Sequence, residues 1–318
     1  VLALVMTMSL VTSVWAQASK TKMITQQPVM KMTTPIPENL TTPDKVKTSI
    51  GTLDFFDGVP IGNTKEMLYD FVDRGRAVEA FINMTPAASL YSLRQGHRDL
   101  GLTESNQILL AEQLGDSKPL VLTWNNTSLY TWGFLDLKKD GPTVIEIPPD
   151  VLGILDDMYF RYISDMGAAG PDRGKGGKYL VLPPGYEGDV PDGYYVVKSK
   201  TYAVWNFMRG YVRGNIQDPA NIKKAADNIK KNLKVYPLAK KDNPPKMEFK
   251  NMSGLAGYNT IMPNDFSFFE VVNKIVQEEA DGWLDPELLG QLRAIGIAKG
   301  QPFNPDARMK KILTDAAA

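Results

Sequence analysis

Apolar positions along the first third of this chain follow a helical period. Met67, Leu68, Phe71, Val72, Val78, Phe81 and Ile82 recur near the spacing of one helix face. Asn63 and Glu66 supply a capping-box start, while Gly75 weakens the middle. Pro86 is expected to open a second helical stretch through Leu93, with His97 at its solvated end before Gly101.

From Leu120 the period shortens to two. Apolar, β-branched and aromatic runs at 119–124, 128–137, 143–147, 158–165, 178–183, 193–199 and 202–212 predict strands. Turn chemistry separates them, at Lys138–Pro142, Pro148–Asp150 and the glycine-rich stretch Gly170–Gly177. Many short strands with regular turns indicate an antiparallel sandwich or jelly roll. After Asp218-Pro219 the helical period returns, with Ile222, Ala226, Ile229 and Leu233 on one face. A Pro/Lys linker at 240–250 follows, then helices starting at Asn264-Asp265, Asp285-Pro286 and Asn304-Pro305. The predicted class is α+β, with an antiparallel β sandwich or jelly-roll core, N-terminal helices and a C-terminal helical segment.

The ends read differently. Val1–Ala18 is a short apolar run closing on Ala16-x-Ala18. It is too short and wrongly flanked for a membrane span and reads as a secretory signal peptide clipped at its N-terminus. Residues 19–50, rich in Thr, Pro, Lys and Gln, read as a flexible linker. The domain plan is therefore a signal at 1–18, a linker at 19–50, a β domain with N-terminal helices at 51–217, and a helical connector at 218–318.

Composition removes several function classes. Lys+Arg and Asp+Glu are equal at 36 each, so the electrostatic footprint of a nucleic-acid binder is missing. The chain has no cysteine and one histidine, His97. Thiolate chemistry, disulfides and zinc sites built on Cys or paired His are excluded within one chain. No metal or cofactor is expected. Export without cysteine suits a periplasm, where disulfides are allowed but not required.

Motif tests remove more. Gly174-Lys175 and Gly177-Lys178 lack the preceding glycine and following Ser/Thr of a phosphate loop, leaving a flexible hairpin loop. No Gly-x-Ser-x-Gly elbow occurs. The adjacent Asp156 and Asp157 would face opposite ways on a strand, which does not indicate a glycosidase pair. One segment keeps interest. Trp124 and Tyr130 flank a polar step containing Asn125 and Thr127, which can orient a ligand while the aromatics supply contact area. Asp136, Arg161, Asp165 and Arg209 lie in neighbouring predicted strands and complete the candidate set. The plainer alternative is a strand turn held by its own side chains, with structural ion pairs.

Several motifs in order carry a resemblance. Asn125–Tyr130, Leu135-Asp136-Leu137, Tyr179–Tyr186 and Arg209-Gly210 are followed by Phe269–Asn273 and Ile295–Phe303. Over residues 55–315 this order resembles the bacterial family called domain of unknown function 1254, although the acidic residue usual at the Asn125–Tyr130 step is replaced by Asn or displaced. The resemblance implies a jelly-roll-like fold, a second copy of the chain as a partner, and a following domain of unknown function 1214. The expected function is that of an exported cell-envelope protein that binds or assembles through an aromatic-rich β face. A small molecule or glycan is the expected ligand, and no transmembrane segment is expected in the mature chain. The alternative is a periplasmic hydrolase or other small-molecule enzyme using the Asn125–Tyr130 turn with nearby Asp and Arg.

Overall fold

The structure, a computed structural model, describes residues 35–119, 121, 124–255 and 260–318. The signal peptide and residues 19–34 of the expected linker lie outside the described residues. The described residues divide into two compact units, one ending at Ile61 and one running from Gly62 to Ala318.

The first unit contains a small antiparallel meander, with β1 (Lys45–Thr48), β2 (Gly51–Phe56) and β3 (Val59–Pro60) in that order. The expected linker to residue 50 therefore contains a strand. Thr48 donates its hydroxyl to the Gly51 carbonyl at 2.8 Å, and Gly51 turns the chain with φ 126°.

The second unit opens with α1 (Thr64–Asp99). This is one helix where two stretches were predicted, because Pro86 sits inside it. An interior proline costs about 3 kcal/mol. Burial of Ala77, Ala80, Met84, Ala87, Ala88 and Leu90 on both sides of that proline offsets the cost. Asn63 occupies the cap position but makes no side-chain capping bond.

The β region follows as β4 (Gln107–Leu110), β5 (Ser128–Asp136), a single helical turn α2 (Leu137–Asp140), β6 (Thr143–Ile147), β7 (Val151–Asp157), β8 (Tyr162–Gly167), β9 (Gly177–Leu182), β10 (Tyr195–Lys198) and β11 (Ala203–Tyr211). Then come α3 (Pro219–Asn232), β12 (Lys234–Pro237), β13 (Glu248–Asn251), α4 (Ser267–Glu278), α5 (Pro286–Ala294) and α6 (Ala307–Ala317). The run expected as one strand at 158–165 breaks at Tyr159-Phe160. The turn joins β7 to β8, with Phe160 at φ 58°. No strand occurs at 119–124 among the described residues.

Two sheets result, with orders β10-β9-β6-β12 and β13-β4-β5-β11-β7-β8. Most neighbours are antiparallel, but β9/β10 and β4/β13 run parallel, so the purely antiparallel expectation is corrected to antiparallel and mixed sheets. β12 and β13 lie in the stretch expected to be helical connector and linker, and each adds a strand to a sheet.

Alternation along β5 sets up the layers. Leu129 and Leu135 join a core containing Ile145 of β6, Val181 of β9 and Val235 of β12, together with Ile229 of α3. Tyr130, Trp132 and Phe134 point the other way, into a core formed with α1, α4, α5 and α6. Successive residues of a strand face opposite sides, so one nine-residue strand serves both cores. The glycine-rich loop before β9 is tied down by Asp172, which accepts from the Gly167 and Gly176 amides and from the Tyr179 hydroxyl.

Candidate ligand-binding site

β11 pairs antiparallel with β5 along its whole length. The register places Arg209 opposite Tyr130, Phe207 opposite Trp132, and Trp205 opposite Phe134. Cross-strand neighbours on one face come within side-chain reach, so these pairs form an aromatic ladder on the helix-facing side. Trp132 and Phe207 have ring centres 5.8 Å apart, and Trp205 stacks on Phe207 at 4.8 Å.

Trp124 extends the ladder from outside the sheet. Its indole stacks on Tyr130 at 4.4 Å and meets Trp132 edge-on at 5.6 Å. Gly115 makes room for it, since a Cβ at that position would lie 1.3 Å from the Trp124 indole nitrogen.

The β7–β8 turn supplies the other wall. Asp157 is buried and accepts from the Tyr159 and Arg161 amides at 2.8 and 3.0 Å. The Arg161 Nε donates to the second Asp157 oxygen at 2.7 Å, and its guanidinium also donates to the Trp283 carbonyl. This clamp holds Phe160 in the left-handed region, where a bulky residue is uncommon. The Phe160 ring there meets Trp205 edge-on at 5.5 Å.

Together these groups enclose a largely apolar cavity of about 270 Å³. Arg209 is the one charged side chain among its described lining residues. Its guanidinium lies 5.3 Å from the Tyr130 ring centre and 5.8 Å from that of Phe207.

The Asn125–Tyr130 step is a closed hydrogen-bonded turn. Asn125 donates its backbone amide and Nδ2 to the Tyr130 Oη at 3.1 and 2.7 Å. Its Oδ1 accepts from the amides and hydroxyls of Thr127 and Ser128. Asn125 and Thr127 thus fix the turn that presents Tyr130.

The remaining predicted residues lie apart from the aromatic cavity. Asp136 caps α2 by accepting from the Lys139 amide at 3.1 Å. Arg161 serves the turn just described. Asp165, on β8, accepts from the Tyr162 hydroxyl at 3.3 Å. So Trp124, Tyr130 and Arg209 converge on one cavity, and Asp136, Arg161 and Asp165 do not join them. Trp132, Trp205, Phe207 and Phe160 complete the cavity without having been singled out. The alternation Tyr130-x-Trp132-x-Phe134 and Trp205-x-Phe207-x-Arg209 is a two-residue period that would have placed most of them on a shared face.

A second cavity of about 240 Å³ opens at the Asp136 end of β5. It is polar, and Arg94, His97, Glu278 and Glu279 line it with Asp136. His97, expected at a solvated helix end, is buried against the Phe134 ring edge. Its Nε2 lies 3.3 Å from the Gln107 carbonyl, which can only accept, so Nε2 carries the proton. Burial pulls its pKa down to about 4, against the smaller opposing effect of that hydrogen bond. Glu279 accepts from the Tyr202 and Ala203 amides at 2.5 and 3.2 Å. Burial nevertheless raises its pKa to about 7. Arg94 forms an ion pair with Glu278. Asp156, opposite Trp205 in the sheet, is raised to about 6 by burial and by the nearby Asp157 and Asp165.

Fold and site together define an α+β protein with a helix-covered mixed sheet and an aromatic cavity on its covered face. Residues 105–237, from just before β4 to the end of β12, match the family model described as Protein of unknown function (DUF1254). Among solved structures, the VPA0106 protein from Vibrio parahaemolyticus is similar with a TM-score of 0.53 at 15% identity, over 77% of this chain and 57% of that one. At that identity the likeness shows the fold alone, and the chain spans just over half the length of that relative. No curated protein matches the chain. Among the described residues, no helix is long and apolar enough to cross a membrane, and no group of three His, Asp or Glu residues is placed to hold a metal ion.

Proposed function

We propose that this chain is an exported cell-envelope protein that binds a small molecule or glycan through the aromatic face of β5 and β11. The observation that carries the reading is the cavity of about 270 Å³ walled by Trp124, Tyr130, Trp132, Trp205 and Phe207. Concave, mostly apolar sites with few polar groups are the usual form of small-ligand pockets, and this one suits a small ligand. Flat aromatic walls stack equally well on an aromatic ring or on the apolar face of a sugar. Two sheets sharing one core support a jelly-roll-like sandwich, a fold that does not by itself fix function. Export is supported by the apolar Val1–Ala18 run with its Ala16-x-Ala18 close. A following domain of unknown function 1214 and assembly with a second copy belong to the same reading.

The test uses intrinsic fluorescence, since three of the five tryptophans line this cavity. A panel of mono- and disaccharides and one- or two-ring aromatic compounds is titrated into the purified chain. A saturable change that disappears in Trp205→Leu supports the reading. A panel with no saturable response counts against it. Fractionation of cells expressing the protein tests export, and recovery only in the cytoplasm would overturn that part.

A small-molecule enzyme is the second reading. It is favoured by the second cavity, lined by His97 and Glu279, because groups with perturbed ionisation such as these two gather at catalytic sites. An activity screen in which Glu279→Gln abolishes a detected reaction would favour it over binding.

A further inference from the structure

We infer that the aromatic cavity takes a planar aromatic carboxylate, held by Arg209 at its charged end. The inference rests on the binding reading above and names its ligand class. A guanidinium carries five N–H donors and always a positive charge. Three other arginines of this unit are matched by carboxylates: Arg94 by Glu278, Arg161 by Asp157 and Arg213 by Asp150. Arg209 pairs with no carboxylate and donates to no acceptor among the described residues. Among the described residues its contacts are with the Tyr130 and Phe207 ring faces, which engage its charge but not its N–H donors. Among the described residues, neither Asp156 of β7 nor Asp165 of β8 forms an ion pair with it. Asp165 takes the Tyr162 hydroxyl, and Asp156 lies opposite Trp205, four residues along β11 from Arg209.

A half-buried cation at a largely apolar cavity selects for a ligand with the same division of character. A ring system fills the space between the aromatic walls, and its carboxylate accepts the paired N–H groups of Arg209. The fork of a guanidinium matches two carboxylate oxygens, and such charge-assisted pairs are about twice as strong as neutral ones. The cavity lies just below the usual size range for drug-sized ligands, which limits the ring system to one or two rings. A neutral polyol would leave Arg209 uncompensated, and an inorganic anion would leave the aromatic walls unfilled.

The test compares 2-naphthoate with 2-naphthalenemethanol, its uncharged counterpart, by tryptophan fluorescence on the full chain. The expected result is tighter binding of the carboxylate by about tenfold or more, the worth of a charge-assisted hydrogen bond. In Arg209→Met, which keeps an apolar stem over Tyr130, the ratio of the two affinities should fall to about one. Rising salt should weaken naphthoate alone in the unsubstituted protein, a measurement that needs no variant. Equal binding of the two compounds overturns this inference and leaves the cavity a neutral aromatic site. A naphthoate preference that survives in Arg209→Met overturns the role given to Arg209. If neither compound binds the unsubstituted protein, this inference fails, and the binding reading stands or falls on the saccharide and aromatic panel above.

Discussion

Asn125 and Tyr130 hold each other in place across the turn that begins β5. The Asn125 Nδ2 and backbone amide both donate to the Tyr130 hydroxyl, while the Asn125 Oδ1 gathers four donors from Thr127 and Ser128. Tyr130 in turn stacks on Trp124 and lies under Arg209. Asn125, Thr127 and Ser128 therefore shape the cavity through Tyr130 without lining it themselves. Asn125→Ala should destabilise the protein by about 2 kcal/mol, because the two part-buried donors of Ser128 and the two exposed donors of Thr127 lose their acceptor at once. Tyr130→Phe keeps the ring and should cost about 1 kcal/mol with ligand binding retained. Urea midpoints for the two variants check both values, and a neutral Asn125→Ala would mean the turn is held by its backbone alone.

Gly115 is predicted to be essential to the cavity wall. An alanine methyl there would overlap the Trp124 indole, which must swing away from Tyr130. Gly115→Ala should therefore change tryptophan emission and weaken aromatic ligands, with a smaller effect on global stability. Emission identical to that of the parent protein would show that the indole is not seated against Gly115.

Asp157→Ala should be among the most destabilising substitutions at the β7–β8 turn. It removes the buried acceptor of two turn amides and leaves the Arg161 guanidinium, itself donating to the Trp283 carbonyl, without its counter-charge. Breaking such a pair on one side costs about 3 kcal/mol or more. Because the same clamp keeps Phe160 against Trp205, ligand affinity should fall as well. Thermal denaturation and a binding titration on the one variant measure the two effects separately.

The polar cavity makes opposite pH demands on the fold. Glu279, raised to about 7, holds its proton in the folded state at pH values where the unfolded chain has lost it. Its contribution is complete below the ordinary glutamate pKa and is lost as pH rises towards 7. His97, lowered to about 4, stays neutral in the folded state while the unfolded chain takes up a proton below pH 6.5. Its contribution is complete above that value and is lost as pH falls towards 4. Relative to the parent, His97→Gln should lose stability as pH rises from 4 to 6.5, and Glu279→Gln should gain it as pH rises from 4.5 to 7. Each swing is about 3 kcal/mol from its pKa displacement. Denaturation midpoints across pH 4 to 7.5 check the signs, and parallel curves for parent and variants would refute both assignments.

Local chemistry alone determined a good part of this protein. The Asp218-Pro219 and Asp285-Pro286 steps place the starts of α3 and α5, and the two-residue alternation places β5, β6 and β11 almost to the residue. Such signals depend on neighbours within a turn or a strand, so they are legible without the rest of the chain. Tertiary structure decided what those neighbours cannot encode. Packing on both sides of Pro86 made α1 continuous, and Phe134 with the β4 region buried His97 at the helix end that was expected to be solvated. The β5–β11 register brought Arg209 onto Tyr130 across 78 intervening positions, while Asp136 and Arg161 were drawn into a helix cap and a turn clamp. The free energy that selects these pairings comes from burying two cores against one sheet, and residues distant in sequence contribute to it jointly.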